Sequence, residues 1–278
     1  MIERDIRLSD GRMLHIYDTG LGDEDRIPVV WHHGTPNLGA PPAPLFAAAD
    51  RLGVRWIGFD RPGYGVSSVD PGRTIASVAA DTAEVADAVG AASFAVMGYS
   101  GGGSFALGCA STLRDRVRVV TTLAAVAPYG AAGLDWYAGM APSGIAALGT
   151  AVAGREVRWA LDRSGFDYEI DFTPDDLALF DGPWGWLGKV AGPALEAGPF
   201  GQIDDDVCYT HPWGCEVADM SCPVLLVHGT EDRIIPPSHG SWLADQCPNP
   251  TLRLCNGDSH FTVIRQAESA LEWLRAQI

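Results

Sequence analysis

Short apolar runs alternate with stretches of helical pattern along most of the chain, and this alternation restricts the fold more than any other feature. The runs are nearly continuous in apolar residues, which is typical of parallel strands buried on both faces. They are residues 27–31, 54–59, 93–98, 117–125, 223–228 and 251–254. Helices are predicted at residues 74–89, 101–111, 238–246 and 261–276. The pattern therefore predicts an α/β fold with a mostly parallel sheet flanked by helices.

The N-terminal residues have a different pattern, which is typical of a β-hairpin. Residues 5–9 and 12–17 flank Asp10-Gly11, a dipeptide suited to the positive φ angles of a two-residue type I′ turn. We therefore expect a pair of antiparallel strands ahead of the parallel part of the sheet.

Residues 130–217, here called the insertion, interrupt the alternation. The segment is rich in glycine, proline and aromatic residues, and it holds 14 acidic and 4 basic side chains, which is −10 of the total charge of −16. Either its aromatic side chains pack on the core or it forms a lid over a site at the strand ends, and the two interpretations are compatible. The predicted division is a core of residues 1–129 and 218–278, with residues 130–217 as a largely helical lid.

Composition and charge exclude several classes of function. With 35 acidic and 19 basic side chains, the protein lacks the basic face that nucleic-acid binding requires. Hydrophobic residues make up 47% of the chain, which excludes a disordered protein. No apolar run reaches 18 residues, so we expect no membrane-spanning helix and no membrane partner. The first twelve residues also lack the apolar stretch of a secretory signal, which favours a cytoplasmic protein.

The cysteines are more consistent with reduced thiols than with a disulfide framework or a metal site. None of the six forms a C-x-x-C pair. Zinc ligands of suitable type occur close together in the sequence, but their spacing matches no compact zinc motif. These residues are Cys208, His211, Cys215 and Cys222. We expect no bound metal.

The pentapeptide Gly98-Tyr99-Ser100-Gly101-Gly102 directly follows an apolar run and precedes a predicted helix. It fits the G-x-S-x-G nucleophile elbow, in which a sharp strand-to-helix turn exposes a serine hydroxyl. Neighbouring backbone passes so close to the first and last glycines that a Cβ would clash. A glycine-rich turn that binds phosphate at a helix N-terminus is the alternative interpretation of this motif alone.

A serine nucleophile requires a base and an acid that orients it. His260 follows the last predicted strand, and Asp232 follows the preceding one, where α/β sheets place their sites. Glu231 is the immediate rival of Asp232. The chain order Ser100, Asp232, His260 is that of the α/β-hydrolases.

Acyl transfer also requires two hydrogen-bond donors for the developing oxyanion. The Gly101 N–H, one residue after the serine, supplies the first. His33-Gly34-Thr35-Pro36 follows the run at residues 27–31, and proline has no N–H, so Thr35 is the natural second donor.

Taken together, five segments resemble the α/β-hydrolase superfamily in order and spacing, over nearly the whole chain. They are residues 33–36, 60–65, 98–102, 229–232 and 258–261. The resemblance implies an eight-stranded sheet, a lid inserted after the sixth strand, and neither cofactor nor metal. It also implies that the turn at residues 60–65 shapes a loop beside the site, and it leads us to expect a cis Thr35–Pro36 bond.

The resemblance narrows the chemistry as well. Relatives similar to haloalkane dehalogenases and epoxide hydrolases carry an aspartate at the elbow, whereas this chain has Ser100. The first hypothesis is a carboxylesterase-like serine hydrolase that cleaves a small, uncharged, largely apolar ester or lactone through an acyl-enzyme. Four alternatives remain open: a carbon–carbon bond hydrolase, an aminopeptidase, a cofactor-free haloperoxidase-like enzyme, and a non-catalytic ligand-binding protein. We expect a small-molecule substrate and a monomer or homodimer.

Aromatic residues near these motifs and in the insertion are candidates for the wall of a substrate pocket, although each could equally be plain packing. The candidates are His33, Tyr99, Trp136, Tyr137, Trp159, Trp184 and Trp186. The negative charge of the insertion predicts poor binding of polyanionic substrates such as CoA esters.

Overall fold

The computed structural model describes residues 1–20, 25–170 and 172–278. Within these residues, eight strands form one sheet in the order β1-β2-β4-β3-β5-β6-β7-β8. The strands are β1 Ile2–Arg7, β2 Met13–Asp18, β3 Ile27–His32, β4 Val54–Phe59, β5 Phe94–Tyr99, β6 Val117–Leu123, β7 Val224–Gly229 and β8 Pro250–Cys255. Strands β1 and β2 are antiparallel to their neighbours, and β3 to β8 are parallel. The predicted α/β fold with a mostly parallel eight-stranded sheet is confirmed.

Ten α-helices accompany the sheet in the described part of the chain. They are α1 Phe46–Leu52, α2 Ile75–Ala88, α3 Gly101–Thr112, α4 Pro142–Val152, α5 Arg155–Arg163, α6 Pro174–Phe180, α7 Trp186–Glu196, α8 Phe200–Thr210, α9 Pro237–Gln246 and α10 Ala267–Ala276. Helix α2 begins with a capping box between Thr74 and Ser77, and Gly90 follows its end at a φ of +73°. The sequence did not predict α1, and the helix predicted at 261–276 is a 3₁₀ turn, Thr262–Gln266, followed by α10.

The N-terminal hairpin is present, but its turn differs from the prediction. The Leu8 amide donates to the Arg12 carbonyl at 2.8 Å, so three residues and not two close the loop. Gly11 has a φ of +91°, and Asp10 does not share this positive φ. A type I′ turn needs positive φ at both central residues, whereas here Gly11 alone of the three loop residues has a positive φ.

The core lies in two apolar layers, one on each face of the sheet. Helices α2 and α3 pack on one face, through residues such as Val78 and Phe105. Helices α1 and α10 cover the other face, through residues such as Ala48 and Leu271. This two-sided cover explains why the central strands are continuous apolar runs, and it holds their carboxyl ends along one edge of the sheet.

The described part of the insertion is helical. Helices α4 to α8 lie there, between β6 and β7 in the chain. None of the helices that the structure describes is long and apolar enough to span a bilayer. All six cysteines are unpaired, and the described residues contain no group of three metal-ligating side chains, including around Cys208 and His211.

Candidate active site

Ser100 lies on a sharp turn between β5 and α3. Its backbone has φ 55° and ψ −133°, a strained combination for a residue with a side chain. The Ser100 amide donates to the Leu123 carbonyl at 2.8 Å, which ties the turn to β6. A Cβ on Gly98 would collide with the backbone of Gly102, and one on Gly102 would collide with the carbonyls at the end of β3. The glycines are therefore required by close backbone contacts, as the motif predicts.

The structure brings Ser100, His260 and Asp232 together in one hydrogen-bonded chain. His260 Nε2 lies 2.9 Å from Ser100 Oγ, and His260 Nδ1 lies 2.8 Å from Asp232 Oδ2. Residues 160 positions apart in the sequence meet here because β5, β7 and β8 all end at the same edge of the sheet. The three side chains are 8%, 4% and 3% exposed respectively, so little solvent reaches them.

Asp232 is held as a carboxylate by its surroundings. Its Oδ1 accepts hydrogen bonds from the amides of Ile234 and Ile235 at 2.9 and 2.8 Å. Burial raises the pKa of Asp232, but His260 and His228 outweigh it, and the pKa lies below its ordinary value of 3.8. Glu231, the rival from the sequence, is exposed. Asp232 is thus placed to fix the His260 ring with its Nδ1 protonated.

The loop at residues 33–36 lies against the serine. A Cβ on Gly34 would come within 3.5 Å of Ser100 Cβ. The Thr35–Pro36 peptide bond is cis, as predicted. In the described part of the chain, the amides of Thr35 and Gly101 have no protein acceptor. Two unpaired donors beside a serine hydroxyl are what an oxyanion site requires.

Arg61 holds this loop from within the protein. Its guanidinium is fully buried and donates to the carbonyls of His33 and Gly34 at 2.6 and 3.2 Å. The ring of His33 bonds Gly34 O through Nδ1 and accepts the Arg61 amide through Nε2. Burial, and then the charge of Arg61, lowers the pKa of His33 well below its ordinary value. His33, a substrate-binding candidate, therefore uses both ring nitrogens to shape the loop.

The model of the alpha/beta hydrolase fold family matches residues 27–266. The chain belongs to the α/β-hydrolase family. No curated protein sequence matches it significantly.

Solved structures of α/β-hydrolases superpose over nearly the full chain. One is a thermophilic esterase from Thermogutta terrifontis, with a TM-score of 0.69 at 22% identity, covering 100% of this chain and 99% of that one. An enol-lactonase from Burkholderia xenovorans LB400 has a TM-score of 0.71 at 19% identity, covering 99% of each chain. A bromoperoxidase from Bacillus anthracis has a TM-score of 0.71 at 22% identity, covering 99% of this chain and 98% of that one. At such identities the likeness establishes the fold.

Tyr99 is the aromatic candidate that touches His260 in this α/β-hydrolase. Its hydroxyl donates to the His260 carbonyl at 3.1 Å, and the two rings lie 5.6 Å apart. On another side of His260, the ring of Phe261 lies at 5.6 Å. The rings of Phe172 and Phe180 pack on Phe261 at 5.2 and 5.3 Å. The sequence did not single out these three phenylalanines.

The tryptophan candidates are spread over three separate groups. Trp136 and Tyr137 pack together at 5.0 Å, and Trp136 Nε1 donates to the Ala127 carbonyl at 2.8 Å. Trp184 packs on Trp186, which lies 6.4 Å from Trp31 of β3. Trp159 packs on Phe200 at 5.3 Å and lies under Arg163. Packing accounts for these contacts, and the seven candidates do not form one continuous wall.

Sequence reasoning missed a buried charged cluster between the insertion and the core. Asp205 of α8 is fully buried and forms ion pairs with Arg61 at 2.6 Å and Arg73 at 2.7 Å. Asp204 pairs with Arg155, and Asp206 pairs with Arg158. The run of three carboxylates is therefore internal to the protein. No local pattern in the sequence signals these pairs, because Asp205 lies 144 residues from Arg61 and 132 from Arg73.

Proposed function

We propose that this protein is a serine hydrolase that cleaves a small, uncharged, largely apolar carboxylic ester or lactone through an acyl-enzyme. The observation that carries the proposal is the hydrogen-bonded chain from Ser100 through His260 to Asp232, with distances of 2.9 and 2.8 Å. Two unpaired backbone amides lie beside it. Groups of the kinds that the proposal requires as nucleophile, base, orienting acid and oxyanion donors therefore lie in one place.

In the proposed reaction, Ser100 Oγ attacks the carbonyl carbon while its proton passes to His260 Nε2. Asp232 stabilises the imidazolium that forms, and the amides of Thr35 and Gly101 bind the oxyanion. The imidazolium then protonates the leaving alcohol, and an acyl-enzyme remains. Water, activated by His260, attacks the acyl-enzyme and releases the acid and the free serine.

The preference for an apolar substrate rests on what surrounds His260. Tyr99 and Phe261 flank its ring, and Phe172 of the insertion extends the aromatic surface outward. Phe172 is 41% exposed, so part of an apolar ring faces solvent near the site. The structural neighbours include an esterase and an enol-lactonase, and an ester or a lactone is the type of bond proposed for this protein. We propose that the insertion, residues 130–217, acts as the lid over this surface.

The buried carboxylates weaken two earlier expectations. An aminopeptidase would need lid carboxylates to bind a substrate amine, and three of the fourteen acidic residues of the insertion are already paired with arginines: Asp204, Asp205 and Asp206. The core residues Arg61 and Arg73 also offset part of the insertion's negative charge. The remaining acidic groups should still favour binding of a neutral thioester over its CoA analogue. The difference should be smaller than the net charge of −10 on the insertion alone would predict.

The test is labelling with a fluorophosphonate probe, read by intact mass. We expect one adduct on the wild type and none on Ser100→Ala. Ser104→Ala is the matched control, because Ser104 lies in α3, the helix that follows Ser100, and is buried with its Oγ donating to the Val126 carbonyl. That variant should keep the adduct. An unlabelled wild type, or a labelled Ser100→Ala variant, would contradict the proposal.

A hydrolysis panel then tests the substrate class. Neutral aryl and alkyl esters, lactones, a neutral thioester and its CoA analogue are compared by kcat/KM. We expect the short neutral esters and lactones to be the best substrates. Faster turnover of the CoA thioester than of its neutral analogue would contradict the proposed class.

A further inference from the structure

Helix α8 of the insertion contacts the loop that carries Thr35. Two of its side chains, Asp205 and Tyr209, lie one helical turn apart and both reach the Thr35 hydroxyl. The Thr35 Oγ1 atom lies 2.6 Å from Asp205 Oδ2 and 2.7 Å from the Tyr209 hydroxyl. These contacts join parts of the chain about 170 residues apart.

The protonation of this network follows from the charge of Asp205. Burial raises the pKa of this carboxyl, but Arg61 and Arg73 outweigh it, and the pKa falls below the ordinary value of 3.8. A carboxylate only accepts hydrogen bonds, so the Thr35 hydroxyl must donate to Asp205. Its single proton is then used, and the Tyr209 hydroxyl must donate to Thr35 Oγ1. Arg61 Nη2 also donates to Thr35 Oγ1 at 3.3 Å, so three residues hold the Thr35 side chain.

The same network reaches both proposed oxyanion donors. The Tyr209 hydroxyl occupies the position that a Cβ on Gly101 would take, which explains why a glycine follows the nucleophile here. Arg61 joins Asp205 to the carbonyls of His33 and Gly34. The loop before Pro36 is therefore held through the carbonyls of His33 and Gly34 and through the hydroxyl of Thr35.

We propose that Asp205 is a positioning residue, which fixes the Thr35 amide for oxyanion stabilisation by accepting the Thr35 hydroxyl. This inference rests on the proposed function. The buried carboxylate of Asp205 then affects kcat without contacting the substrate. Placing a donor correctly matters because oxyanion hydrogen bonds strengthen only at the geometry of the transition state.

The first experiment removes the hydroxyl and keeps the shape. Thr35→Val retains the branched side chain and the backbone amide, whereas Thr35→Ser retains the hydroxyl. We expect Thr35→Val to lower kcat for a neutral aryl ester by about tenfold or more, with KM changed by less than about twofold. Thr35→Ser should restore most of kcat. Equal kcat in Thr35→Val and the wild type would overturn the inference.

A double-mutant cycle then tests whether Asp205 acts through that hydroxyl. Asp205→Asn should lower kcat in the wild type but have little further effect in Thr35→Val, because the interaction is already gone. Asp206→Asn is the matched control, since it breaks a buried ion pair on the same helix, with Arg158, and that pair involves neither Thr35 nor the arginines that bind Asp205. It should leave kcat within about twofold. Additive losses in the cycle, or an equal loss in Asp206→Asn, would assign Asp205 to general stability and overturn the inference.

Hydrogen exchange of the segment 31–40 gives a readout that does not depend on turnover. We expect Thr35→Val to exchange faster there than Thr35→Ser, at unchanged global stability. Failure of the proposed function is seen in the wild type alone, as absent labelling and absent hydrolysis. Failure of the positioning role is seen only between variants of an active wild type, so the two are distinguishable.

Discussion

Replacing Asp232 by Asn tests the triad assignment through the tautomer of His260. The two backbone amides of Ile234 and Ile235 bind Asp232 Oδ1 at 2.9 and 2.8 Å, so the oxygen of the new amide must stay there. Its NH₂ group then faces His260 Nδ1, where the carboxylate oxygen lay at 2.8 Å. An NH₂ group donates, so Nδ1 must become the acceptor and the proton must move to Nε2.

The wrong tautomer cannot accept the Ser100 proton, because Nε2 is then already protonated. The loss expected in kcat is about 10⁴-fold, as for the same change in other triads. At about 1.4 kcal/mol per factor of ten, the transition state loses about 5 kcal/mol. Folding should be retained, since the amide keeps the side chain's size and its two backbone partners.

The assay is kcat and KM for a neutral aryl ester, with the fluorophosphonate labelling rate as a second measure and urea unfolding as the folding control. Glu231→Gln is the matched variant, because Glu231 is the exposed neighbour. It should be active within about twofold of the wild type. A folded Asp232→Asn variant within tenfold of wild-type kcat would refute the reasoning, as would a large loss in Glu231→Gln.

Three further outcomes are expected for stability. Gly102→Ala should unfold the protein or cost more than about 3 kcal/mol, since its Cβ would collide with backbone carbonyls. Gly188→Ala, in open space on α7, should instead gain up to about 1 kcal/mol, and urea midpoints that fail to separate the two would contradict this. Trp136→Phe should cost about 1–3 kcal/mol by leaving a buried carbonyl unpaired, and an unchanged unfolding midpoint would count against that role. The wild type should exceed Asp205→Asn in stability above about pH 5. That gap should narrow progressively as the pH falls below the unfolded pKa of 3.8, because the stabilisation by ionised Asp205 declines between that value and its lower folded pKa. A pH-independent gap in urea unfolding from pH 3 to 7 would be inconsistent with the lowered pKa.

The sequence predicted the core of the fold and the position of the proposed triad for the same reason. Buried parallel strands are local apolar runs, and Ser100, Asp232 and His260 lie in the segments that follow three of them. Because the carboxyl ends of parallel strands lie along one edge of the sheet, the predicted strands implied that these three residues lie close together. The glycines of the elbow were also predictable, because a Cβ at the first or last of them would clash with neighbouring backbone. Helix α1 was missed because it is only seven residues long and has no side-chain cap.

Contacts between the insertion and the core could not be predicted in this way. Asp204, Asp205 and Asp206 look like a solvent-exposed acidic run, and their buried state depends on arginines that include Arg61, 144 residues away from Asp205. Nothing local in the sequence pairs such distant charges. The sequence is also compatible with either role for Trp136 and Trp186, packing on the core or lining a pocket. Only the folded structure shows which residues they contact.

The buried ion pairs of α8 limit how the insertion could be exchanged between related hydrolases. Residues 130–217 would look like a separable module that could be transplanted between relatives to change what a hydrolase accepts. In this protein the transplant would leave Arg61 and Arg73 without Asp205, and uncompensated buried charge costs several kcal/mol. The hydrogen bond that Ser259, the neighbour of His260, donates to Asp176 of α6 in the insertion would be lost as well. A working chimera must therefore carry substitutions in the recipient core together with the new segment.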